Sequence, residues 1–483
     1  MLEKDLLQDV LRTALSRGGD FADIYLEQRR VTGVGFEDDR IERVQSGLDA
    51  GAGIRVVAGE ATAYAYTNQL DRRGFLDAAE VVARAAAGGN GKDVSIDLRR
   101  LAPTVSFDIE KMPDEIPTAE KVDRVERANR AARAVDGEKI KQVIVGYGDV
   151  VQQVTIANSD GTLVEDERVR TRLVVHAIAA AGDIIQTGYE ALGGVKGFEL
   201  LDGGQPEEIA RRAARRACDL LEAQPAPSGR MAVVLSGEAG GTMVHEACGH
   251  GLEADLVQKG VSVYAGKRGE TVASPAVSVI DDATLPGRYG SYTFDDEGVP
   301  ARKVTLIENG VLIDYLYDTL TARKDGRASN GHGRRESYQY KPIPRMGNTF
   351  IAPGKDDPEG IIREVRDGLL VRKMGGGQVN TTTGDFVFEV AEGYLIEDGQ
   401  IGPLVRGATL AGNGPEVLRK VDRVGRDLGF TIGTCGKDGQ GVPVSDAQPT
   451  LLLGQRPGDD PPIVVGGTGK ARMNKKAPRI IRL

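Results

Sequence analysis

Residues 31–44, with the sequence VTGVGFEDDRIERV, predict the fold class of this chain. Two apolar runs at 31–36 and 41–44 flank the polar residues 37–40, a pattern typical of a β-hairpin. A second pair of short strands follows at residues 54–66, again around a turn. Amphipathic helices precede and follow these hairpins, so the sequence favours an α+β fold over a series of parallel βαβ units.

Apolar periodicity predicts helices at residues 4–16, 72–87, 119–135 and 205–222, and the glycines at 88–91 are expected to end the second of them. A further helix is expected near residues 415–428. The Gln-Pro-Ala-Pro-Ser-Gly segment at 224–229 predicts a domain boundary, and a proline-rich surface linker is expected at about 100–118. We therefore expect an N-terminal α+β domain over residues 1–226. Residues 227–483 are expected to form a β-rich, antiparallel catalytic domain, because turn dipeptides such as Asn309-Gly310 and Asp398-Gly399 separate its apolar runs.

Composition excludes several classes of protein. The 483 residues carry a net charge of -9 and contain no Trp, which argues against a nucleic-acid-binding surface. No apolar run is long enough for a membrane helix, and the N-terminus does not resemble a signal peptide. Three cysteines are too few for a disulfide framework. These features predict a cytoplasmic protein, and the basic tail at 470–482 is expected to be a solvated end.

Two of the four histidines lie five residues apart in the sequence VHEACGH at 244–250. In the common zinc motif H-E-x-x-H the histidines are four residues apart and share one helix face. A spacing of five places them about 140° apart on an ideal α-helix, so they cannot face one ion. We therefore predict a helix distortion, such as one extra residue in a π-bulge, between Ala247 and Gly251.

These residue types indicate zinc chemistry. Neutral imidazoles of His245 and His250 bind zinc, and Glu246 beside them can act as general base. A catalytic site needs a third protein ligand, for which the candidates are Cys248, Glu253, Asp255, His332 and Cys435. The residues alone leave the choice open between Glu253, which is local, and Cys435, which lies in a glycine-rich loop.

At these residues the chain resembles the TldD/PmbA family of metallopeptidases, and specifically its metal-bearing TldD-type member. The sequence from His245 to Asp255 is similar to the signature helix of the family. Further similar blocks occur in the same order, namely GGGQVN at 375–380, GATL at 407–410, GNGP at 412–415 and GTCGKDGQGVP at 433–443. The resemblance implies one zinc ion per chain, with His245, His250 and Cys435 as ligands and Glu246 as general base.

The resemblance also implies a function. It predicts a zinc-dependent peptidase that cleaves unfolded or extended peptides and small proteins, including removal of leader peptides. It predicts a dimer, possibly a heterodimer with a related subunit that lacks the metal motif. His332, Gly376 and Gly377 are candidate substrate contacts. The alternative is a scaffold or chaperone-like subunit of a peptidase complex, in which the zinc is structural.

Overall fold

The structure is a computed structural model that describes residues 3–86, 95–454 and 460–469. The basic tail at 470–482 and the glycines at 88–91 that were expected to end the second helix lie outside these residues. None of the described helices is both long and apolar enough to cross a membrane. The helices are α1 Lys4–Leu15, α2 Arg72–Ala85, α3 Thr118–Arg133, α4 Gln205–Glu222, α5 Thr242–Val244, α6 Ala254–Gln258, α7 Thr319–Lys324, α8 Pro358–Glu364 and α9 Gly414–Arg419.

Strands follow one another in long hairpins in the first half of the chain and are shorter in the second. The strands are β1 Phe21–Glu37, β2 Arg40–Ala58, β3 Ala61–Thr67, β4 Arg99–Arg100, β5 Ile140–Asn158, β6 Thr162–Ala181, β7 Ile184–Gly194, β8 Gln224–Pro225, β9 Gly229–Arg230, β10 Ala232–Leu235, β11 Val279–Asp282, β12 Lys303–Glu308, β13 Val311–Leu312, β14 Gly333–Arg334, β15 Ile343–Pro344, β16 Asn348–Ile351, β17 Asp367–Val379, β18 Asp385–Glu397, β19 Gln400–Arg406, β20 Thr409–Asn413, β21 Val421–Val424, β22 Gly429–Lys437, β23 Gln440–Gln448, β24 Leu451–Leu453 and β25 Val464–Gly466.

The first sheet has the order β3-β2-β1-β5-β6-β4, with β7 paired to β6. Asp38 and Asp39 have φ angles of 51° and 59°, which is the backbone of a type I′ turn, so the predicted hairpin is confirmed. Helices α1 and α2 bury one part of this sheet, and α3 and α4 bury another. Helix α4 has the predicted bounds because its alanine-rich stripe packs on β6 and β7.

The second half of the chain builds two main sheets. One has the order β21-β24-β10-β17-β18-β20-β25-β9, and the other has the order β13-β12-β11-β16-β23-β22. Most pairs are antiparallel, as predicted, although β10 pairs with β17 and β16 with β23 in parallel. Their shared core carries the helix of the H-E-x-x-x-H motif, and β22 lies at the edge of its sheet.

One element differs from the prediction. The helix expected near residues 415–428 ends at Arg419, because Val421 and Val424 are buried in a strand that pairs with β24. The proline-rich segment at 100–118 is largely irregular and contains one 3₁₀ turn, Pro113–Glu115. The division of the chain at residue 226 remains a prediction.

A buried arginine joins the first sheet to the second half of the chain. Arg55 on β2 donates to the Asp23 carboxylate on β1 at 2.7 Å and to the Glu297 carboxylate at 2.5 Å. All three side chains are almost completely buried. Arg55 is therefore the main counter-charge of each carboxylate, since neither can be solvated by water and the next cation, Arg335, lies 3.7 Å from Asp23.

We expect Arg55→Met to lower the free energy of unfolding by about 3–5 kcal/mol, because it leaves two buried carboxylates without their cation. Urea unfolding followed by circular dichroism measures this change. Arg73→Met is the control, since Arg73 pairs with Asp77 on the exposed face of α2. Equal unfolding midpoints for the two variants would contradict the proposed contribution of Arg55 to stability.

Candidate metal centre

The helix of the H-E-x-x-x-H motif changes its pitch at the first histidine. It begins with the short helix α5, continues as a π-helical turn over His245–Gly249 and ends in a 3₁₀ turn over His250–Leu252. The His250 N–H donates to the His245 carbonyl, which is an i→i+5 hydrogen bond. The predicted distortion is therefore confirmed, although it starts at His245 and not at Ala247.

The wide turn is held by contacts from three other segments. The Tyr264 hydroxyl donates to the Ala247 carbonyl at 2.9 Å, and so satisfies an acceptor that the irregular helix exposes. Met346 lies against Gly249 so closely that a Cβ there would be 2.2 Å from its sulfur. Gly414 approaches Ala247 from α9 in the same way, with 2.5 Å from its Cβ position to the carbonyl. Glycine is thus required where backbone and core meet.

Three potential ligand atoms meet at this turn. The nitrogens of His245 and His250 and the Cys435 sulfur lie within 4.8 Å of one another. Cys435 is on β22, and its Sγ is 3.4 Å from His250 Nε2. The two imidazole rings are nearly perpendicular, with centroids 4.9 Å apart. This clustering is what a single metal ion bound by three side chains requires.

The second nitrogen of each ring is bound by a carboxylate. His245 Nδ1 is 2.8 Å from Asp446 Oδ1, and His250 Nδ1 is 3.0 Å from Glu253 Oε2. We assign a proton to both Nδ1 atoms on the basis of these partners. Each Nε2 atom is then free to bind a metal. Such carboxylate–histidine pairs are common behind zinc ligands, where they fix the ring and raise its basicity.

The donor set fits zinc. Burial favours the neutral thiol, but in the metal-free site hydrogen bonds and positive charge from protonated His245 and His250 lower the pKa of Cys435 to about 5, so a thiolate forms readily. Two imidazoles and one thiolate are ligands that zinc accepts and that magnesium and calcium do not prefer. Among the described residues, three side chains meet here, one fewer than a closed structural site usually has.

Glu246 lies at the mouth of this cluster. Its half-buried carboxylate has no hydrogen-bond or ion-pair partner in the described part of the chain. Burial raises the pKa of Glu246 above its usual range, so this carboxylate is a stronger base than an exposed one. It borders a cleft of about 750 Å³ that also contains His245, His250 and Cys435.

The other candidates for the third ligand lie elsewhere. Glu253 contacts His250 on the side away from the cluster and pairs with Lys437 at 3.1 Å. Asp255 also pairs with Lys437, at 2.6 Å. Cys248 is buried on another face of the helix, where its thiol contacts the Val244 carbonyl. The structure therefore brings Cys435, and not these residues, to the two histidines.

The predicted substrate contacts separate into two groups. Gly376 lines the cleft, and Gly377 follows it on the exposed part of β17. His332 is completely buried, with Nε2 3.1 Å from Asp281 and Nδ1 3.2 Å from Asn330. It does not line the cleft, because its ring is bound within the core by Asn330 and by Asp281 on β11. The sequence reasoning missed Asp446, which has no local sequence signal.

Comparison with known proteins agrees with this geometry. Residues 22–88, 111–221 and 228–455 match domain 1, the central domain and the C-terminal domain of the PmbA/TldA metallopeptidases. The chain belongs to the PmbA/TldD metallopeptidase family. This membership confirms the resemblance found in the sequence.

Relatives in this family are similar over nearly the whole chain. A metalloprotease TldD homolog of Haemophilus influenzae is 37% identical over 97% of this chain and 97% of its own length. A metalloprotease of Methanothermobacter thermautotrophicus is 37% identical over 94% of this chain and 98% of its own. TldE from Thermococcus kodakarensis shares the fold, with a TM-score of 0.71 at 20% identity over 92% of this chain and 99% of its own.

We expect Cys435→Ala to lose bound zinc, because two imidazoles alone hold the ion weakly. Glu253→Gln should keep the ion with an affinity lower by about 10–100-fold, since it removes only the support behind His250. Elemental analysis and a chelator competition measure both effects. If Cys435→Ala kept full metal occupancy while Glu253→Gln lost the metal, Glu253 and not Cys435 would be the third ligand.

Proposed function

We propose that this chain is a zinc-dependent peptidase that cleaves unfolded or extended peptides, with Glu246 as general base. His245, His250 and Cys435 would hold the ion. The observation that carries this proposal is the unpaired Glu246 carboxylate beside three converging ligand atoms, in a cleft that is open to solvent. When bound, a zinc ion lowers the pKa of a bound water and polarises the carbonyl of the substrate.

The role of Glu246 follows from its position and basicity. In peptide hydrolysis a base removes a proton from the attacking water, and an acid returns a proton to the leaving amine. A single carboxylate beside the scissile bond serves both steps in turn. Burial raises the pKa of Glu246, which makes its carboxylate better suited to hold the proton between the two steps.

The preference for extended peptides rests on the open edge of β22. Lys437 pairs with Gln440 across a two-residue turn, so these two form a hydrogen-bonded pair. Alternation along the ladder then directs the backbone groups of Gly436 and Thr434 away from β23. Thr434 and Gly436 are exposed in the cleft on either side of Cys435.

A peptide strand can therefore pair with β22 and pass the metal ligands. Such pairing reads the backbone more than the side chains, so we expect a broad sequence preference. Beyond Val371 the strand β17 pairs with β18 alone, and Gly376 and Gln378 from this part also line the cleft. An extended segment can offer its backbone groups to β22, whereas a folded domain already uses these groups in its own hydrogen bonds.

The alternative function is a scaffold with a structural zinc ion. Structural sites are normally closed by four protein ligands. The described residues bring three potential ligand atoms together, and a further carboxylate in the cleft, Glu246, is left without a partner. This arrangement favours catalysis.

The proposed partner is a second subunit, either another copy or a related chain without the metal motif. Light scattering of the purified chain, alone and with such a relative, distinguishes these states.

We expect Glu246→Gln to retain zinc and to reduce peptide cleavage by about two to four orders of magnitude, because it removes only the base. Cleavage of an unfolded peptide, followed by mass spectrometry, measures the loss, and elemental analysis confirms the bound metal. Glu238→Gln is the matched control, since Glu238 is exposed outside the cleft. Undiminished cleavage by Glu246→Gln would refute the proposed mechanism.

A further inference from the structure

A second cavity lies beside the metal cleft. It has a volume of about 420 Å³ and is lined by strands of the first sheet, by residues 289–296 and 334–336, and by the β22–β23 hairpin. Thr434 lines both cavities, and it directly precedes the predicted metal ligand Cys435. A peptide paired with β22 in the cleft would therefore lie next to this second cavity.

Arginines dominate the lining of this cavity. On β6, the alternate residues Arg168, Arg170 and Arg172 share one face of the sheet. The strand register places Gly148 beside Arg172 and Val150 beside Arg170, so small side chains leave space between the guanidinium groups. The six arginines that line the cavity are Arg29, Arg168, Arg170, Arg172, Arg334 and Arg335.

Four of these arginines lack a carboxylate partner. Arg168 pairs with Asp166 and Asp296, and Arg335 lies 3.7 Å from Asp23. The other four have no ion pair with any residue that the structure describes. The buried Arg334 donates to two backbone carbonyls, and Arg170 donates to two others, at 3.1 and 2.8 Å.

The carboxylates of the cavity compensate only a small part of this charge. Glu336 accepts a hydrogen bond from the Gly441 N–H at 2.6 Å and has no cation partner among the described residues, so one unpaired carboxylate faces four unpaired arginines. Lys121 binds Asp149 at 2.6 Å, and Arg168 binds Asp296 at 2.5 Å. Burial and the neighbouring Glu297 raise the pKa of Asp295 well above its usual range, which favours its neutral form. Burial and repulsion from the other arginines lower the pKa of Arg170 to about 10. Enclosed cations of this kind are stabilised by a bound anion.

We propose that this cavity binds a carboxylate of the peptide substrate, so that the enzyme prefers peptides with a carboxylate close to the scissile bond. The inference rests on the proposed peptidase function and specifies its substrate class. The planar fork of arginine matches a carboxylate with two parallel hydrogen bonds. That carboxylate is either the C-terminus of the peptide or an Asp or Glu side chain.

Peptide binding to the Glu246→Gln variant, loaded with zinc, tests this inference without cleavage. Calorimetry compares an unfolded peptide without acidic residues, its C-terminal amide, and the same amide with one Asp. We expect amidation to weaken binding by about 10–100-fold, as for the loss of a charge-assisted hydrogen bond. Recovery with the Asp-containing amide would show that a side chain is accepted as well as a C-terminus.

Substitutions in the same background show whether the cavity is responsible. We expect Arg172→Gln to abolish most of the difference between acid and amide, because it removes an exposed guanidinium without an ion pair. Arg170→Lys keeps the positive charge but loses the planar guanidinium fork, so it should reduce the affinity difference between acid and amide. Arg215→Gln, an exposed change on α4, should leave it intact. Thermal unfolding and zinc content check that each variant is folded.

The outcomes separate this inference from the proposed function. Equal affinity for all three peptides, or an acid preference that survives both cavity substitutions, would overturn the carboxylate site even if the wild-type enzyme cleaves every peptide. Binding that depends on the carboxylate and on Arg172, without cleavage by the wild-type enzyme, would support the site and overturn the peptidase.

Discussion

The i→i+5 hydrogen bond from His250 to His245 is the constraint on which the candidate metal centre depends. A regular α-helix would turn the two rings about 140° apart, and no movement of Cys435 could then join all three side chains. The wide turn is irregular, so surrounding contacts must hold it. Tyr264 satisfies a carbonyl that the turn exposes, while Met346 and Gly414 fill the space on either side. The core of the second half therefore acts directly on the geometry of the site.

Charge support behind the histidines comes from elements that are distant in the sequence. Asp446 on β23 holds His245, while Glu253 holds His250 and is itself held by Lys437 on β22. Since Cys435 and Lys437 lie on the same strand, the β22–β23 hairpin supplies both a predicted ligand and part of the support for another predicted ligand. Displacement of this hairpin would disturb all three ligands together.

The sequence predicted those features that depend on local spacing. Helix α4 and the turns at Asn309 and Asp398 were found because periodicity and turn chemistry are local, and both turn residues have the expected positive φ. The H-E-x-x-x-H spacing even indicated the helix distortion. The full length of β1 and β2 was not predicted, because their polar middle residues interrupt the apolar pattern.

Long-range contacts were beyond such reasoning. Cys435 lies 185 residues from His250, and the residues alone favoured it no more than the nearby Glu253. Sequence proximity was misleading for Glu253, since a residue three positions after a histidine reaches the outer side of its ring as easily as the metal side. Asp446 carries no local signal, because only the pairing of β16, β23 and β22 brings it to the helix.

The cavity lined by arginines has a local pattern in the sequence, which the overall composition conceals. A net charge of -9 describes the whole chain, whereas the alternation of Arg168, Arg170 and Arg172 places three cations on one face of one strand. An average over the surface cannot reveal a local field in an enclosed cavity, where low dielectric strengthens each charge. The acidic remainder of the surface would disfavour anions elsewhere. A peptide carboxylate is therefore drawn to a cavity that leaves several arginines unpaired and that adjoins the strand carrying Cys435.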